Sequence, residues 1–292
     1  MTACALGVDV GTSGVRASLV SPTRTLVASA QARMTEGGSD PRNPATWGQA
    51  LQIAMKRLAE QADLSLVGAL SVDGTSGTVL GLDGAGEPVG TALMYNDATA
   101  DRGILDQINS VAPRESAGRG ASALARAIEI AARPGVVRIV HQADWVAELF
   151  AEGHLPSDES NALKTGYDPS SRCWPDWIEA SGLDATLLSD VVPGGDRSGT
   201  TSGSVGLPWG VPIVAGLTDV CASFLATGAG KPGDGVTALG STLTLKLLSD
   251  QPVFSPEFGI YSHRIGDIWL AGGASNTGGA VLASVFDDGA LA

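Results

Sequence analysis

The sequence has 292 residues, of which 43% are hydrophobic and 17% are charged, and its formal net charge is −13 at pH 7. This length and apolar content allow one large or two ordinary globular domains with ample core. The acidic balance argues against nucleic-acid binding and against binding to anionic membrane surfaces, because both need a basic face. A polyanionic ligand of this protein therefore has to arrive with its own cation.

Cysteines and histidines are few, with three of each in the chain. Cys4, Cys173 and Cys221 are widely spaced and odd in number, which favours a reducing compartment and argues against disulfides or a zinc site. The N-terminus has no basic region followed by an apolar run, and no stretch reaches transmembrane length. The sequence therefore predicts a cytoplasmic protein without a membrane partner.

The segment from Gly7 to Val20 predicts a β-hairpin whose tip, Gly11-Thr12-Ser13-Gly14, binds a phosphate. Apolar alternation before and after the motif predicts two strands joined by a tight turn. Gly11 and Gly14 permit positive φ and let backbone N–H groups face one point. Thr12 and Ser13 add hydroxyl donors, and Asp9 supplies the hard oxygen that holds Mg²⁺ through water. The alternative interpretation is an ordinary Gly/Ser hairpin turn. The segment does not match a P-loop, because no Lys follows the glycines and the next element is a strand rather than a helix.

The following residues alternate strands with helices, which favours an α/β layer fold. Asn43 as N-cap and Pro44 at the first helical position predict the start of an amphipathic helix. The mixed charge of residues 112–134 favours a solvated helix over an anion site. Residues 153–171 are polar and rich in turn formers, which predicts a loop or lid. The predicted strands lie at 26–32, 66–72, 78–82 and 136–140, and the further predicted helices lie at 123–132, 143–150 and near 183–188.

The opening pattern returns in altered form after residue 212. A buried strand at 212–216 leads through Thr218, the natural N-cap, into a helix at 220–226, so Asp219 lies at a strand-to-helix junction. A hairpin, a meander and a helix are thus predicted at both ends of the chain. If these two halves face one cleft, they would offer opposed phosphate-binding hairpins. The predicted elements that follow are a strand, Gly-Ser-Thr turn and strand at 236–248, strands at 259–264 and 268–271, and a helix from Ser275 or Asn276 to Phe286.

Together these motifs resemble the FGGY family of carbohydrate kinases, most closely its D-ribulokinase and xylulokinase-like branch. The resemblance implies an α/β fold of the actin and hexokinase ATPase type, which is ribonuclease H-like. It implies a complete N-terminal sugar-binding and catalytic domain at 1–232 and the beginning of a C-terminal nucleotide-binding domain at 233–292. The matching segments are Asp9-Val10-Gly11-Thr12-Ser13, residues 71–80 with Asp83-Gly84, Tyr95-Asn96-Asp97, Gly216-Leu217-Thr218-Asp219, Leu239-Gly240-Ser241-Thr242 and Gly272-Gly273-Ala274-Ser275-Asn276.

The resemblance implies an ATP- and Mg²⁺-dependent kinase that phosphorylates a pentulose such as D-ribulose or D-xylulose. Asp219 would accept the proton of the attacking hydroxyl, and Asp9 would hold the Mg²⁺ water shell. These residue types suit phosphoryl transfer, which needs positioning, charge neutralisation and one modest base. The other implied site residues are Gly11, Thr12 and Ser13 at the transferred phosphoryl group, Gly240, Ser241 and Thr242 at the nucleotide phosphates, and Ser76 and Asp97, with Asp219, at the sugar.

Three departures from the family pattern bear on these expectations. Tyr95-Asn96-Asp97 lacks the tryptophan and the following arginine common in the family, and Arg126 stands near where many members have a lysine. The chain ends at Ala292, after the first helix of the second domain, so the resemblance predicts that the glycine-rich adenosine-binding motif is missing.

Two alternative functions stay open. One is a catalytically impaired sugar-binding remnant that lacks the adenosine site. The other is an actin-like ATPase, against which the Thr218-Asp219 junction and the Ser76 segment argue. The uncovered strands after about residue 235 also leave open a homo-oligomer formed through the incomplete second domain.

Overall fold

Helices pack against β-sheets in layers, as the alternating sequence pattern predicts. The computed structural model describes residues 3–98, 101–239, 243–255 and 258–275 and the single residues Gly278, Val281 and Val285. No helix in these stretches has the length and apolar character needed to cross a bilayer. The strands described are β1 Cys4–Val10, β2 Gly14–Val20, β3 Leu26–Arg33, β4 Val67–Gly74, β5 Val79–Leu82, β6 Arg138–His141, β7 Ser157–Asp158, β8 Val191–Val192, β9 Arg197–Ser202, β10 Trp209–Val214, β11 Gly235–Leu239, β12 Leu243–Ser249, β13 Tyr261–Ile265 and β14 Ile268–Ser275.

The helices are unequal in length, and the longest packs on the first meander. They are α1 Met34–Gly37, α2 Pro44–Ala59, α3 Arg102–Val111, α4 Ala123–Ala131, α5 Gln142–Glu148, α6 Glu159–Ala162, α7 Trp177–Ala180 and α8 Asp219–Ala226, with 3-10 turns at Leu64–Leu66, Leu163–Thr165 and Ala185–Leu187.

The larger sheet determines where the site lies. Its strand order is β3-β2-β1-β4-β10-β9. β1, β2 and β3 form the predicted antiparallel meander, whereas β4 runs parallel to β1 and β10 runs parallel to β4. The carboxyl ends of β1, β4 and β10 therefore meet at one edge of the sheet, where ligands of open α/β sheets bind.

The main hydrophobic core lies between this sheet and α2. Asn43 caps α2 by accepting a hydrogen bond from the Ala45 N–H at 3.0 Å, and Pro44 opens the first turn, as predicted. Trp47, Leu51 and Leu58 point from α2 into the core and are fully buried. Each such side chain contributes on the order of 1.5–3 kcal/mol through burial, so α2 fixes the meander that carries the opening hairpin.

Gly14 is required at the hairpin by a close approach to β3. A Cβ at this position would lie 2.3 Å from the Ala32 carbonyl oxygen, so only glycine fits. Neither Gly11 nor Gly14 has a φ in the left-handed region. The positive φ that these glycines permit is therefore not used at the tip. The turn closes instead through a hydrogen bond from the Gly11 N–H to the Gly14 oxygen at 3.0 Å.

The smaller sheet has strand order β11-β12-β14-β13 and is antiparallel throughout. Leu248 and Leu270 from this sheet form a separate small core with Cys221 and Phe224 of α8. Ser275, one of the two N-caps predicted for the last helix, ends β14 instead, and Val281 and Val285 are helical. Apart from Gly278, the other residues of that predicted helix and the predicted turn at 240–242 lie outside the described residues.

Three predicted surface segments differ in the structure. Residues 153–171, predicted as a loop or lid, contain β7 and α6, and the stretch 157–163 is buried. α4 is not solvated, because Leu124, Arg126 and Ile130 are buried against β5 and the 3-10 turn Leu163–Thr165. The helix predicted near 183–188 is reduced to the 3-10 turn Ala185–Leu187. In the first two cases tertiary burial overrides local polarity, which sequence patterns do not reveal.

Candidate active site

A cavity of about 840 Å³ opens at the edge where the parallel strands of the larger sheet end. The connection from β10 to α8 runs close along β4, since a Cβ on Gly216 would lie 1.9 Å from the Val72 carbonyl oxygen. This close approach brings the start of α8 to the mouth of the sheet. The cavity is lined by three carboxyl residues, Asp9, Asp73 and Asp219, and among others by Gly11, Arg16, Ser71, Gly216 and Ser223.

Asp219 is the first residue of α8, and Thr218 is the N-cap, as predicted. The Asp219 carboxylate accepts a hydrogen bond from the Val220 N–H at 2.8 Å. Burial raises the pKa of Asp219 above its ordinary value, and the charge of Asp9 acts in the same direction. The Val220 hydrogen bond and the charges of Lys164 and Lys246 oppose that shift. The result is a carboxylate with enhanced basicity facing a cavity, which is what a general base needs.

Asp9 and Asp73 form a carboxyl pair beside Asp219. They lie directly opposite each other in the parallel pairing of β1 with β4. The Asp9 side chain is 43% exposed and makes one long ion pair, 3.8 Å from Oδ2 to Arg16 Nη1. Burial, followed by the charge and contact of Asp9, raises the pKa of Asp73 to about 8. Asp73 Oδ1 is buried and has no hydrogen-bond partner among the described residues.

This carboxyl pair fits a Mg²⁺ ion that arrives with a nucleotide. No group of three or more His, Cys, Asp or Glu side chains in the described part of the chain is arranged to hold a metal alone. Mg²⁺ in phosphoryl-transfer sites needs only one or two carboxylates, because water and phosphate oxygens complete its octahedral shell. Asp9 offers an accessible oxygen, and the unpartnered Asp73 Oδ1 lies in the same wall.

The turn that carries Ser76 is held by a buried network of hydroxyl and amide groups. Gln142 Oε1 accepts hydrogen bonds from the Thr75 hydroxyl at 2.7 Å and from the Thr75 N–H at 3.2 Å. The Thr75 and Thr78 hydroxyls lie 2.7 Å apart, and the Thr78 hydroxyl accepts from the Tyr95 N–H at 3.1 Å. Ser76 Oγ and Gln142 Nε2 are buried without partners in the described structure. The turn is therefore rigid and retains unused polar groups.

Asp97 is occupied by contacts within the protein. Its carboxylate accepts hydrogen bonds from the Arg42 guanidinium and from the Met94 N–H at 2.8 Å. The Arg42 hydrogen bond lowers the pKa of Asp97. Arg126 donates to the Asp97 carbonyl oxygen at 3.2 Å and to the Gly77 carbonyl oxygen at 3.1 Å. Arg126 thus ties the Asp97 segment to the Ser76 turn.

A buried polar layer behind the cavity supports the start of α8. The Ser160 hydroxyl accepts a hydrogen bond from the Thr218 N–H at 2.9 Å and lies 2.9 Å from the Thr218 hydroxyl. Asp158 caps α6 by accepting from the Ser160 and Asn161 N–H groups at 2.8 and 2.9 Å. Burial, followed by the charge of Asp144, raises the pKa of Asp158 to about 6. These contacts fix Thr218 and therefore the direction of Asp219.

Comparison with known proteins identifies the fold and shows which enzymes the sequence is similar to. No family model matches the sequence. A xylulose kinase from Streptomyces coelicolor is 32% identical over 272 residues, and one from Streptomyces rubiginosus is 30% identical over 278; each match covers 86% of this chain and 55% of the relative. The solved xylulose kinase of Rhodospirillum rubrum superposes with a TM-score of 0.85 at 21% identity, covering 96% of this chain and 62% of that one.

Over most of its length the chain is similar to xylulose kinases, in agreement with its resemblance to the FGGY family of carbohydrate kinases. It spans about half the length of the curated relatives that it matches, since the matches cover 55% of each. The actin and hexokinase type of ATPase fold, predicted from the motifs, is confirmed. The FGGY relationship also agrees with the motif order along the chain, which runs from the Asp9 hairpin to the glycines of β14.

The structure brings only some of the predicted site residues together. Asp9, Gly11 and Asp219 line one cavity, and Thr12 and Ser13 are exposed at the neighbouring hairpin tip. Ser76 and Asp97 lie outside that cavity lining, and Arg42 engages the Asp97 carboxylate. Gly240, Ser241 and Thr242 lie outside the described residues.

Sequence reasoning missed three polar residues of this region. Asp73 carried a usable signal, because it ends a predicted buried strand just as Asp9 does. Gln142 carried no such signal, because its partner Thr75 is distant in sequence. Asp158 carried none either, because it and its partner Ser160 belong to a segment predicted as a loop.

Proposed function

We propose that this protein transfers the terminal phosphoryl group of ATP to a hydroxyl group of a pentulose, D-xylulose or D-ribulose. The observation that carries the proposal is the position of Asp219, a base at the start of α8 in the wall of the cavity that Asp9 and Asp73 also line. The relatives are xylulose kinases, which makes D-xylulose the first sugar to test.

In the proposed reaction Asp219 accepts the proton of the attacking sugar hydroxyl. The sugar oxygen forms a bond to the terminal phosphorus while the bond from that phosphorus to the bridging oxygen of ADP breaks. The proton then passes from Asp219 to solvent. Burial strengthens Asp219 as a base, and the Val220 N–H fixes its carboxylate. A positioned base of this kind contributes roughly 10²–10⁴-fold to the rate.

Mg²⁺, when bound, neutralises charge on the phosphates. Asp9 would hold it through water, with Asp73 beside it in the cavity wall. Gly11, Thr12 and Ser13 would contact the transferred phosphoryl group from the hairpin tip, and Gly240, Ser241 and Thr242 would contact the nucleotide phosphates. Residues 1–232 would then supply the sugar site and the base, and residues 233–292 the beginning of the nucleotide site.

The sugar would contact the rigid turn around Ser76. Its hydroxyl is buried without a partner among the described residues, and the Thr75–Gln142 hydrogen bonds hold the turn. A site with fixed, unpaired polar groups discriminates between sugars that do and do not complete the hydrogen bonds. Asp97 is proposed to act on the sugar as well, which requires release of its carboxylate from Arg42.

A coupled assay of ADP release tests this function directly. The purified chain is incubated with ATP and Mg²⁺, and ADP is measured with D-xylulose, with D-ribulose and without sugar. The proposal expects release that depends on a pentulose. ATP hydrolysis that is indifferent to sugar would favour the actin-like alternative. Sugar binding by calorimetry without any ADP release would favour a sugar-binding protein.

A further inference from the structure

Two of the chain's four lysines converge on one aromatic ring. The ammonium nitrogens of Lys164 and Lys246 lie 5.7 and 5.5 Å from the centre of the Tyr261 ring. Lys164 belongs to the 3-10 turn Leu163–Thr165 that follows α6, whereas Lys246 and Tyr261 belong to the smaller sheet. At this ring, therefore, the cation of Lys164, which lies outside the smaller sheet, comes close to the cation of Lys246, which lies within it.

The backbone of the smaller sheet makes room for this arrangement. Gly272 of β14 is paired with Lys246 on one side and with Tyr261 on the other, so the three residues form one row across the sheet. A Cβ on Gly272 would lie 2.5 Å from Lys246 Cδ. The missing side chain thus lets Lys246 cross β14 towards the ring.

Lys164 reaches the ring along the Ser76 turn. Its Cδ lies 3.7 Å from the position that a Cβ on Gly77 would occupy. Its charge and that of Lys246 also act on Asp219, the proposed base. Lys164 therefore lies beside the Ser76 turn, and both cations are near enough for their charges to act on Asp219.

Neither lysine makes a direct ion pair in the described part of the chain, although the charges of both act on Asp219. The ion pairs found there involve arginines and histidines but not these two residues. His263, the neighbouring ring in β13, is buried, and burial together with the two lysines holds its pKa well below the ordinary value, so it stays neutral. Two like charges gathered at one ring are unfavourable unless an anion joins them.

We propose that Lys164 and Lys246 form an anion subsite at Tyr261 that takes an oxyanion group of a bound substrate. The identity of that anion rests on the proposed function: in a sugar kinase it is the phosphoryl group in transfer, whose oxygens carry the charge that the reaction has to stabilise. A carboxylate on the sugar offers the same chemistry from a second source. The subsite needs both Lys164, from the 3-10 turn after α6, and Lys246, from β12 of the smaller sheet.

Calorimetry with two probes tests the subsite on the intact chain. Inorganic tripolyphosphate is titrated into the wild type, Lys164→Met, Lys246→Met and Lys56→Met. Lys56 is an exposed lysine of α2, so its variant matches the loss of charge away from the ring. We expect each of the first two variants to bind at least about tenfold more weakly, Lys56→Met to bind as the wild type does, and Lys164→Arg and Lys246→Arg to restore binding.

D-gluconate, with neutral xylitol as its control, separates the two sources of the anion. If gluconate but not tripolyphosphate binds in a way that depends on the two lysines, the subsite takes a sugar carboxylate. If tripolyphosphate but not gluconate binds in that way, the subsite takes a phosphoryl group. The inference is wrong if the wild type binds neither anion, or if all three methionine variants bind both anions equally. Failure of the proposed function is a separate result, namely lysine-dependent anion binding by a chain that never releases ADP in response to a pentulose.

Discussion

Asp73 lies directly opposite Asp9 in the parallel pairing of β1 with β4, and both carboxyl groups line the same cavity. The pairing is fixed by two adjacent strands, so the carboxyl groups cannot separate without disruption of the sheet. Burial of Asp73, followed by the charge of the neighbouring Asp9, raises the pKa of Asp73 to about 8, because two carboxylates so close together cannot both ionise cheaply. At neutral pH the pair therefore carries less than its full charge until a cation such as Mg²⁺ arrives.

Gly14→Ala tests the packing that fixes this hairpin. The added Cβ would lie 2.3 Å from the Ala32 oxygen, a backbone atom that cannot move aside without disturbing β3. We expect a loss of unfolding free energy of about 1–3 kcal/mol in denaturant titrations. Gly7→Ala is the matched control in β1, because nothing lies within 4 Å of its added Cβ. Equal stability of the two variants would contradict the packing account.

The buried carboxyl of Asp158 predicts a pH dependence of stability. Because its pKa rises from 3.8 to about 6 on folding, the native state binds the proton more tightly than the unfolded state. This contribution is fully present below about pH 4 and is lost as pH rises through about 6. Between pH 4.5 and 7.5 the wild type should lose about 2 kcal/mol from this group.

Asp158→Asn should remove that loss and leave a flatter pH profile of unfolding free energy. An amide at this position retains an acceptor for the α6 N–H groups, and Asn161 has an unpartnered Oδ1 in the described structure that can accept from it. Parallel profiles for the wild type and Asp158→Asn would show that Asp158 does not titrate in this range.

Asp97 is held by Arg42 in the structure and is also a proposed sugar contact, and a double-mutant cycle separates the two roles. Its carboxylate is held by Arg42 and by the Met94 N–H, contacts that fix the segment before α3. Asp97→Asn and Arg42→Gln should each lower stability, and the loss in the double variant should be smaller than the sum of the two single losses. If Asp97 instead contacts the sugar, Asp97→Asn weakens pentulose binding in calorimetry, whereas Arg42→Gln does not.

The smaller sheet predicts self-association through its apolar face. Leu239, Leu245 and Leu247 are 59%, 54% and 49% exposed, and open apolar strands favour association. Light scattering should detect concentration-dependent oligomers that Leu245→Ser with Leu247→Ser reduces. Leu26→Ser is the control, since Leu26 is 60% exposed on β3 of the other sheet. A monodisperse wild-type monomer at all concentrations would contradict the prediction.

Local patterns predicted the elements of this fold better than they predicted its buried polar interior. Asn43 and Pro44 mark the start of α2, and Thr218 marks the start of α8, because capping is a local interaction. Residues 157–163 are largely polar but buried, since the Asp158 carboxylate accepts from the Ser160 N–H and the Ser160 hydroxyl accepts from the Thr218 N–H. Such burial depends on partners that no local window contains.

The candidate site was predicted in the same uneven way. Asp9 lies near the carboxyl end of β1, and Asp219 follows β10. The carboxyl ends of these strands meet at one edge of the sheet, so a fold of this class brings the two residues together. The Lys164, Lys246 and Tyr261 cluster depends on the cross-strand row through Gly272 and on a segment predicted as a loop, which leaves no signal in the sequence. The domain boundary at residue 232 and the cytoplasmic location stay predictions.

The most direct test of the account is sugar-dependent ADP release by Asp219→Asn, measured beside the wild type and Asp106→Asn. Asp106 is an exposed residue of α3, so its variant makes the same change of charge away from the cavity. The account predicts that turnover falls by about two to four orders of magnitude in Asp219→Asn alone, while pentulose affinity changes little. Near-normal turnover in Asp219→Asn, or an equal fall in Asp106→Asn, would contradict the assignment of Asp219 as the base.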